Sequence, residues 1–137
     1  MGNRAILTFG KSEISPCIYL HWNGGRASVE GFLAAATTLN IAANGNYTTR
    51  MDELAELIAK DFFDGEVGLT VYRQSYGDSD TDNGDNGVYV LDTGLNIVGR
   101  EFAAMEEVDA EKTATITDTV IRKHQRRIND SASVLPA

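Results

Sequence analysis

The stretch that decides the fold is Cys17-Ile18-Tyr19-Leu20-His21-Trp22-Asn23-Gly24-Gly25. Its alternation of side chains predicts a strand with Trp22 on the core side and His21 on the opposite side. Asn23-Gly24-Gly25 then breaks the strand, because Asn and Gly adopt positive φ at little cost, and helical spacing follows. A strand that ends at the start of a helix is a natural place for a ligand, since the first N–H groups of the helix are free.

Outward from this stretch, hydrophobic periodicity predicts the order ββααβββα. The predicted strands are 3–9, 17–22, 67–73, 88–91 and 95–102. The first predicted helix is 27–40. The second is capped by Thr49 and ends at Asp64-Gly65, and the third is capped by Asp109 and runs to Ile128. The first two strands are expected to form an antiparallel hairpin. This order predicts an α+β fold, a single antiparallel or mixed sheet with helices on one face. Residues 1–128 form one predicted domain, and 129–137 a frayed tail.

Composition limits the function classes. The chain has 137 residues, 42% of them hydrophobic, and a single cysteine, Cys17, which cannot form an internal disulfide. No apolar run has the length of a membrane span, and the N-terminus does not resemble a signal peptide, so we expect a cytoplasmic protein. Neither a cofactor nor a structural zinc site is expected.

The charge is acidic but unevenly distributed. The net charge is −8, and the segment 122–127 carries four cations, which leaves −12 for the rest of the chain. Direct binding of nucleic acid is therefore not expected. The cationic segment is either a partner site, for an acidic protein or a second copy, or a solvated helix end whose charges suit the helix dipole.

The loop from Gly77 to Gly87 is rich in acidic side chains. Its alternating oxygen ligands make Asp78, Asp80 and Asp82 weak candidates for a Ca²⁺ site. The EF-hand register fails, because a glycine is one position late and Tyr89 stands where the bidentate Glu belongs. We therefore expect a hairpin loop that folds without Ca²⁺.

The turn after the second strand is the candidate ligand site. Its residues are His21, Asn23, Gly24, Gly25 and Arg26. An anion could dock at the helix N-terminus beside the arginine, and the histidine could act near neutral pH. The spacing is not that of a phosphate loop. The alternative is a packed histidine with a structural hydrogen bond, and no catalytic residue is nominated.

A second candidate surface lies near the acidic loop. Tyr72, Arg73, Tyr76 and Tyr89 are of the residue types enriched in protein interfaces, and they could form a patch on one sheet face. Cross-strand packing explains the same residues equally well.

Three segments carry a resemblance to known proteins. Gly2-Asn3-Arg4-Ala5, Ile18-Tyr19-Leu20-His21-Trp22-Asn23-Gly24-Gly25 and Asp82-Asn83-Gly84-Asp85-Asn86-Gly87 together resemble short uncharacterised bacterial proteins of mobile elements, namely phages, plasmids and integron gene cassettes. That group has no established activity, so the resemblance transfers no catalytic residue. It implies a cargo protein rather than an enzyme of essential metabolism.

The function expected from these observations is non-enzymatic binding of a protein partner or of a second copy. The last helix has a thin apolar face at Ile116, Val120 and Ile121, which predicts a homodimer that uses this helix. Two alternatives stay open. One is a small-molecule-binding domain or enzyme that uses the turn 21–26, and the other is an acidic anti-defence inhibitor that mimics nucleic acid.

Overall fold

A computed structural model describes residues 2–133 and has a five-stranded mixed sheet with three α-helices packed against it. The strands are β1 (Ala5–Thr8), β2 (Pro16–Leu20), β3 (Val71–Ser75), β4 (Val88–Leu91) and β5 (Ile97–Glu101). The helices are α1 (Arg26–Leu39), α2 (Tyr47–Asp61) and α3 (Ala110–Ser133). The predicted α+β class and the order ββααβββα are confirmed. No helix within residues 2–133 is both long and apolar enough to cross a membrane.

The strand order across the sheet is β3-β2-β1-β4-β5. β1 and β2 form the predicted antiparallel hairpin, in which Ile6 lies opposite Tyr19. β1 and β4 are parallel, and the other neighbours are antiparallel. This order makes β3 and β5 the edge strands, and it places the turn after β2 beside the start of β1.

The side of the sheet that faces the helices, here the helix side, holds the larger core. Leu7, Leu20 and Tyr89 of the sheet are fully buried there. They pack with apolar residues of the helices, including Phe32 of α1 and Leu54 of α2, both 0% exposed. Apolar residues at helical spacing and at a period of two supply this core, as the sequence predicts.

The opposite side of the sheet, here the loop side, is also covered. Ile6, Cys17 and Val88 form a second cluster, each at most 1% exposed. The covering loop, residues 76–87, lies over this cluster, and the Ser79 hydroxyl is 3.1 Å from the Cys17 sulfur. The covering loop therefore buries part of the sheet face opposite the helices.

Helix α3 packs on α1 and α2 of its own chain. Its Val120 is fully buried, and Ile116 and Ile121 pack against the main core. A Cβ on Gly31 of α1 would lie 2.5 Å from the Ile116 side chain, so only glycine permits this close helix approach. The thin apolar face of α3 already has a partner, and the reason for expecting a dimer through it was wrong. Self-association stays a prediction.

Ion pairs hold the basic half of α3 to α2. The Asp61 side chain is 1% exposed and accepts hydrogen bonds from Arg127 at 2.7 Å and from His124 Nδ1 at 2.7 Å. Burial raises the pKa of Asp61, but the hydrogen bonds from Arg127 and His124 outweigh burial, and the net effect lowers that pKa. Lys123 pairs with Asp64 at 3.0 Å. Lys123 and Arg127, two of the four cations of 122–127, therefore pair within the chain, and a partner for the segment stays a prediction.

The third strand begins later than predicted. Gly68 has φ +105° and its N–H donates to the carbonyl of Val71 at 2.7 Å, which turns the chain before the strand. Leu69 is 68% exposed as a result. The alternation of side chains over 67–73 is typical of a strand, because a turn made by a single glycine leaves that alternation unchanged.

Two helix ends also differ from the prediction. The N-cap of α2 is Asn46, whose side chain accepts a hydrogen bond from the Thr49 N–H at 2.8 Å, so the prediction of a Thr49 cap was wrong. Asp109 caps α3 as predicted, with the Lys112 N–H donating to its side chain at 3.0 Å. α3 continues past the predicted end at Ile128, and residues 134–137 of the predicted tail lie outside the described residues.

Candidate functional site: an aromatic and acidic surface

The turn after β2 divides the predicted ligand site between two sides of the sheet. Asn23 takes the left-handed conformation with φ 57°, which redirects the chain into α1. Gly24 lies against β1, and a Cβ there would be 2.5 Å from the Asn3 carbonyl oxygen. Trp22 lies two residues beyond Leu20, the last paired residue of β2, and is 45% exposed, so the prediction that it faces the core was wrong. The strand simply ends before the alternation could bury it.

Four aromatic side chains meet at this end of β2 and β3. The Tyr19 hydroxyl and His21 Nδ1 share a hydrogen bond of 2.8 Å. The His21 ring meets Trp22 edge-on at 5.0 Å, and the Tyr19 ring lies 5.8 Å from that of Tyr72, its cross-strand partner. Trp22 is 45% and Tyr72 is 37% exposed, so the two outer rings of the cluster present their surface to solvent. The hydrogen bond orients the inner pair, Tyr19 and His21, relative to each other.

Two carboxylates of the covering loop act on Tyr19, one of these rings. Arg4 binds Asp85 at 2.8 Å and lies 3.8 Å from Asp80, whose side chain is 64% exposed. All three charged groups act electrostatically on the Tyr19 hydroxyl, although burial is the main cause that raises the pKa of Tyr19. We call the four rings with Asp80 and Asp85 the aromatic–acidic surface. Its charge is negative, because one arginine faces more than one carboxylate.

The covering loop is shaped by its own polar groups. The Asn83 side chain, in a residue only 4% exposed, accepts hydrogen bonds from the N–H groups of Asp85 and Gly87, each at 3.1 Å. Gly84 and Gly87 have φ of 79° and 60°, which permits these tight turns. Within residues 2–133 no group of three or more acidic, histidine or cysteine side chains is placed to hold a metal ion. The weak metal candidates suggested by the sequence, Asp78, Asp80 and Asp82, all lie in this loop.

The four predicted interface residues do not share one surface. Tyr72 belongs to the aromatic–acidic surface, and Tyr76 is half-buried against the loop-side cluster. Arg73 lies on the helix side, where it binds Asp52 of α2 at 2.6 Å. Tyr89 is fully buried on the helix side, so its assignment to an exposed patch was wrong. A buried Tyr and an exposed Tyr look alike in sequence, because either suits a strand.

Arg26 lies away from His21, in a second polar cluster that sequence reasoning missed. Its guanidinium donates to the backbone carbonyl of Glu106 and lies 3.7 Å from the Glu30 carboxylate. Arg100 of β5 donates to the Glu106 carboxylate at 2.8 Å and stacks 3.9 Å from the ring of Tyr89. Only the sheet pairing brings these distant residues together, so no local pattern could have indicated them.

The chemistry of the aromatic–acidic surface is that of cation recognition. Aromatic faces attract ammonium and guanidinium groups, and carboxylates beside them add a direct Coulomb attraction. The surface has a histidine, but that ring's Nδ1 is engaged by a tyrosine hydroxyl. The Tyr19 hydroxyl lies within hydrogen-bond reach of that ring, but burial raises the pKa of Tyr19, so its reactive tyrosinate form is scarce.

Comparisons with protein families, with curated proteins and with solved structures give no match. The fold and the site therefore carry the functional argument by themselves. The resemblance to proteins of mobile elements stays a prediction.

Proposed function

We propose that the protein is a non-enzymatic interaction protein that binds a basic segment of a partner protein on the aromatic–acidic surface. The observation that carries the proposal is the exposure of Trp22 and Tyr72, at 45% and 37%, in one cluster with Tyr19, on whose hydroxyl the 64% exposed carboxylate of Asp80 acts electrostatically. Exposed rings next to exposed carboxylates suit a Lys or Arg side chain better than an apolar or acidic one.

The net charge supports the same type of partner. At −8, the chain attracts basic segments and repels acidic ones over distances of about a Debye length, roughly 10 Å at 0.1 M salt. The rings then supply short-range selection that charge alone lacks. The origin of the partner in a mobile element or its host is a prediction from the resemblance and rests on no contact in the fold.

The test uses the single tryptophan as its reporter. A short oligolysine peptide, with oligoglutamate as the control ligand, is titrated while Trp22 fluorescence is followed, and calorimetry repeats the measurement independently of the reporter. Oligolysine should give a saturable change that weakens with salt, and oligoglutamate should give none. Equal responses to the two peptides would contradict the proposal.

Matched tyrosine variants separate the surface from general attraction to an acidic protein. Tyr72→Ala should weaken oligolysine binding about two- to fivefold, the contribution of one exposed cation–π contact of about 0.5–1 kcal/mol. Tyr47→Ala removes a tyrosine that is 46% exposed but stacks on Phe9 outside the surface, and should leave affinity unchanged. Equal affinity of the two variants would show that charge alone binds the peptide.

A further inference from the structure

The sequence has four Asn-Gly pairs, which begin at Asn23, Asn44, Asn83 and Asn86. An asparagine that precedes glycine is chemically labile, because glycine has no side chain to keep its backbone nitrogen from reaching the asparagine amide. The reaction needs an amide group that is free to move and a backbone nitrogen that can turn toward it. The hydrogen bonds of the fold decide which of the four pairs meets these conditions.

The two pairs of the covering loop are held in place. Asn83 is 4% exposed, and its side chain donates to two backbone carbonyls and accepts from two backbone N–H groups of the same loop. The Asn86 amide donates to the Arg4 carbonyl at 3.0 Å. The nitrogen that would attack it, in Gly87, is occupied because its N–H donates to the Asn83 side chain at 3.1 Å.

The pair after β2 is held at its glycine. Gly24 is buried, and its N–H donates to the Asn3 carbonyl at 2.8 Å, so its nitrogen is not free to turn toward the Asn23 amide. That amide also lies 3.4 Å from the Ser28 hydroxyl. Reaction at this pair, as at the two pairs of the covering loop, therefore requires local opening of the fold.

The remaining pair, Asn44-Gly45, lies in the connection between α1 and α2. Both residues are exposed, and within residues 2–133 neither the Asn44 side chain nor the Gly45 N–H has a hydrogen-bond partner. The chain is fixed on either side, since the Ala42 carbonyl accepts from Arg50 Nε at 2.7 Å and Asn46 caps α2. The unanchored stretch is short, and a reaction within it leaves the core closed.

We infer that Asn44 is a modification site, at which the folded protein deamidates. The Gly45 nitrogen attacks Cγ of Asn44, a C–N bond forms, and the amide nitrogen leaves as ammonia with the proton of the Gly45 N–H. Water then adds to one of the two carbonyls of the resulting succinimide ring and opens it, which gives aspartate or isoaspartate at position 44. Water is the one co-reactant that the step consumes.

The fold accommodates the product. Either product places a carboxylate just before α2, where a negative charge suits the helix dipole. The connection between α1 and α2 supplies none of the residues of the aromatic–acidic surface, so this inference does not rest on the proposed function.

The wild-type protein supplies the first test, because its other pairs are internal controls. The folded protein is incubated in warm, mildly alkaline buffer, and peptide mass spectrometry follows the exchange of amide for carboxylic acid at each pair. Asn44 should convert more than about tenfold faster than Asn83, since a pair that reacts only after local opening is slowed by the rarity of the open state. In guanidinium chloride, which exposes all the pairs, the two rates should converge. Conversion of Asn44 no faster than Asn83 in the folded protein would overturn the site.

Matched variants give a second, independent readout, the enzymatic methylation of isoaspartate. This signal should grow as the wild type ages, and Asn44→Gln should remove most of it, because the longer side chain does not close the five-membered ring. Asn129→Gln replaces an exposed asparagine that aspartate follows, and its signal should match the wild type. Equal signals from the two variants, with both folded by circular dichroism, would show that Asn44 is not the site.

Discussion

The two sides of the sheet are buried by different means. On the helix side, amphipathic helices supply apolar residues such as Phe32 and Leu54, both 0% exposed. On the loop side, a polar loop without regular periodicity buries Ile6 equally well, at 0%. The loop achieves this because its own hydrogen bonds, such as those to Asn83, satisfy its backbone while it lies on the strands.

The difference has a consequence for function. The helix side is a core of packed apolar side chains, whereas the covering loop is anchored mainly by polar contacts, among them those of Arg4 with Asp85 and Asn86 and that of the Gly77 N–H with the Glu13 carbonyl. The aromatic–acidic surface takes Asp80 and Asp85 from that loop, so the same contacts shape the proposed binding surface. Regions of low local stability are where binding surfaces are commonly found.

The largest expected effect compares the two cores directly. Phe32→Ala on the helix side should lower the free energy of unfolding by about 3–5 kcal/mol, since α1 cannot collapse onto the space left behind. Ile6→Ala on the loop side should cost about 2 kcal/mol, the low end for this change, because a loop can settle into the cavity. Urea denaturation measures both. Equal losses would show that the covering loop is as rigid as the helices.

The second effect compares the ion pairs of the two sides. Asp61→Asn should destabilise by about 2 kcal/mol, less than for a fully buried pair because the Arg127 side chain is 37% exposed and reaches water. Asp85→Asn should change global stability little, since Arg4 and Asp85 are 33% and 24% exposed at their side chains. A larger loss in Asp85→Asn than in Asp61→Asn, by urea denaturation, would reverse the comparison.

The pH dependence of the stability that Asp61 contributes follows from its lowered pKa. A carboxylate whose pKa is lower in the folded state contributes stability above its unfolded value of about 3.9. That contribution disappears as pH falls through the folded value. Wild type should therefore lose its advantage over Asp61→Asn on acidification below about pH 4, and a difference that is constant from neutral to strongly acid pH would contradict this account.

The fold class was predictable because it depends on local patterns. The helical spacing of residues such as Phe32 and the alternation around Ile18 report which side chains face a core. What covers the second face could not be predicted. The covering loop has turn residues that fit an exposed hairpin as well as a buried cap, and Cys17 gives no sign that it meets Ser79, far along the chain.

The sites were predictable only in part, because they too depend on contacts between residues far apart in the sequence. His21 and Tyr72 were singled out, but on separate surfaces, and it is the pairing of β2 with β3 that joins them through Tyr19. Arg26 was singled out too, but Arg100, which shares Glu106 with it, comes from β5 through a strand order that local periodicity does not specify. Contacts between strands distant in sequence need the register, which a single sequence does not contain.

The smallest effect concerns local opening of the covering loop, for which the chain has a built-in reporter. Cys17 is the single cysteine, and it is 1% exposed beneath the loop. Burial raises the pKa of its thiol more than the hydrogen bond to Ser79 lowers it, and the reactive thiolate is therefore scarce in the closed state. Labelling by a disulfide reagent should be slow and should report how often the loop lifts.

Asp85→Asn should speed this labelling several-fold, because it weakens the charge-assisted hydrogen bonds from Arg4 that hold the loop to β1. Asp82→Asn replaces an exposed acid of the same loop and changes the net charge by the same amount, and it should leave the labelling rate unchanged. High salt should accelerate the wild type toward the rate of Asp85→Asn, since a partly exposed ion pair is screened. If both variants label at the wild-type rate while Phe32→Ala labels faster, Cys17 reacts only through global unfolding, and the loop side is no looser than the helix side.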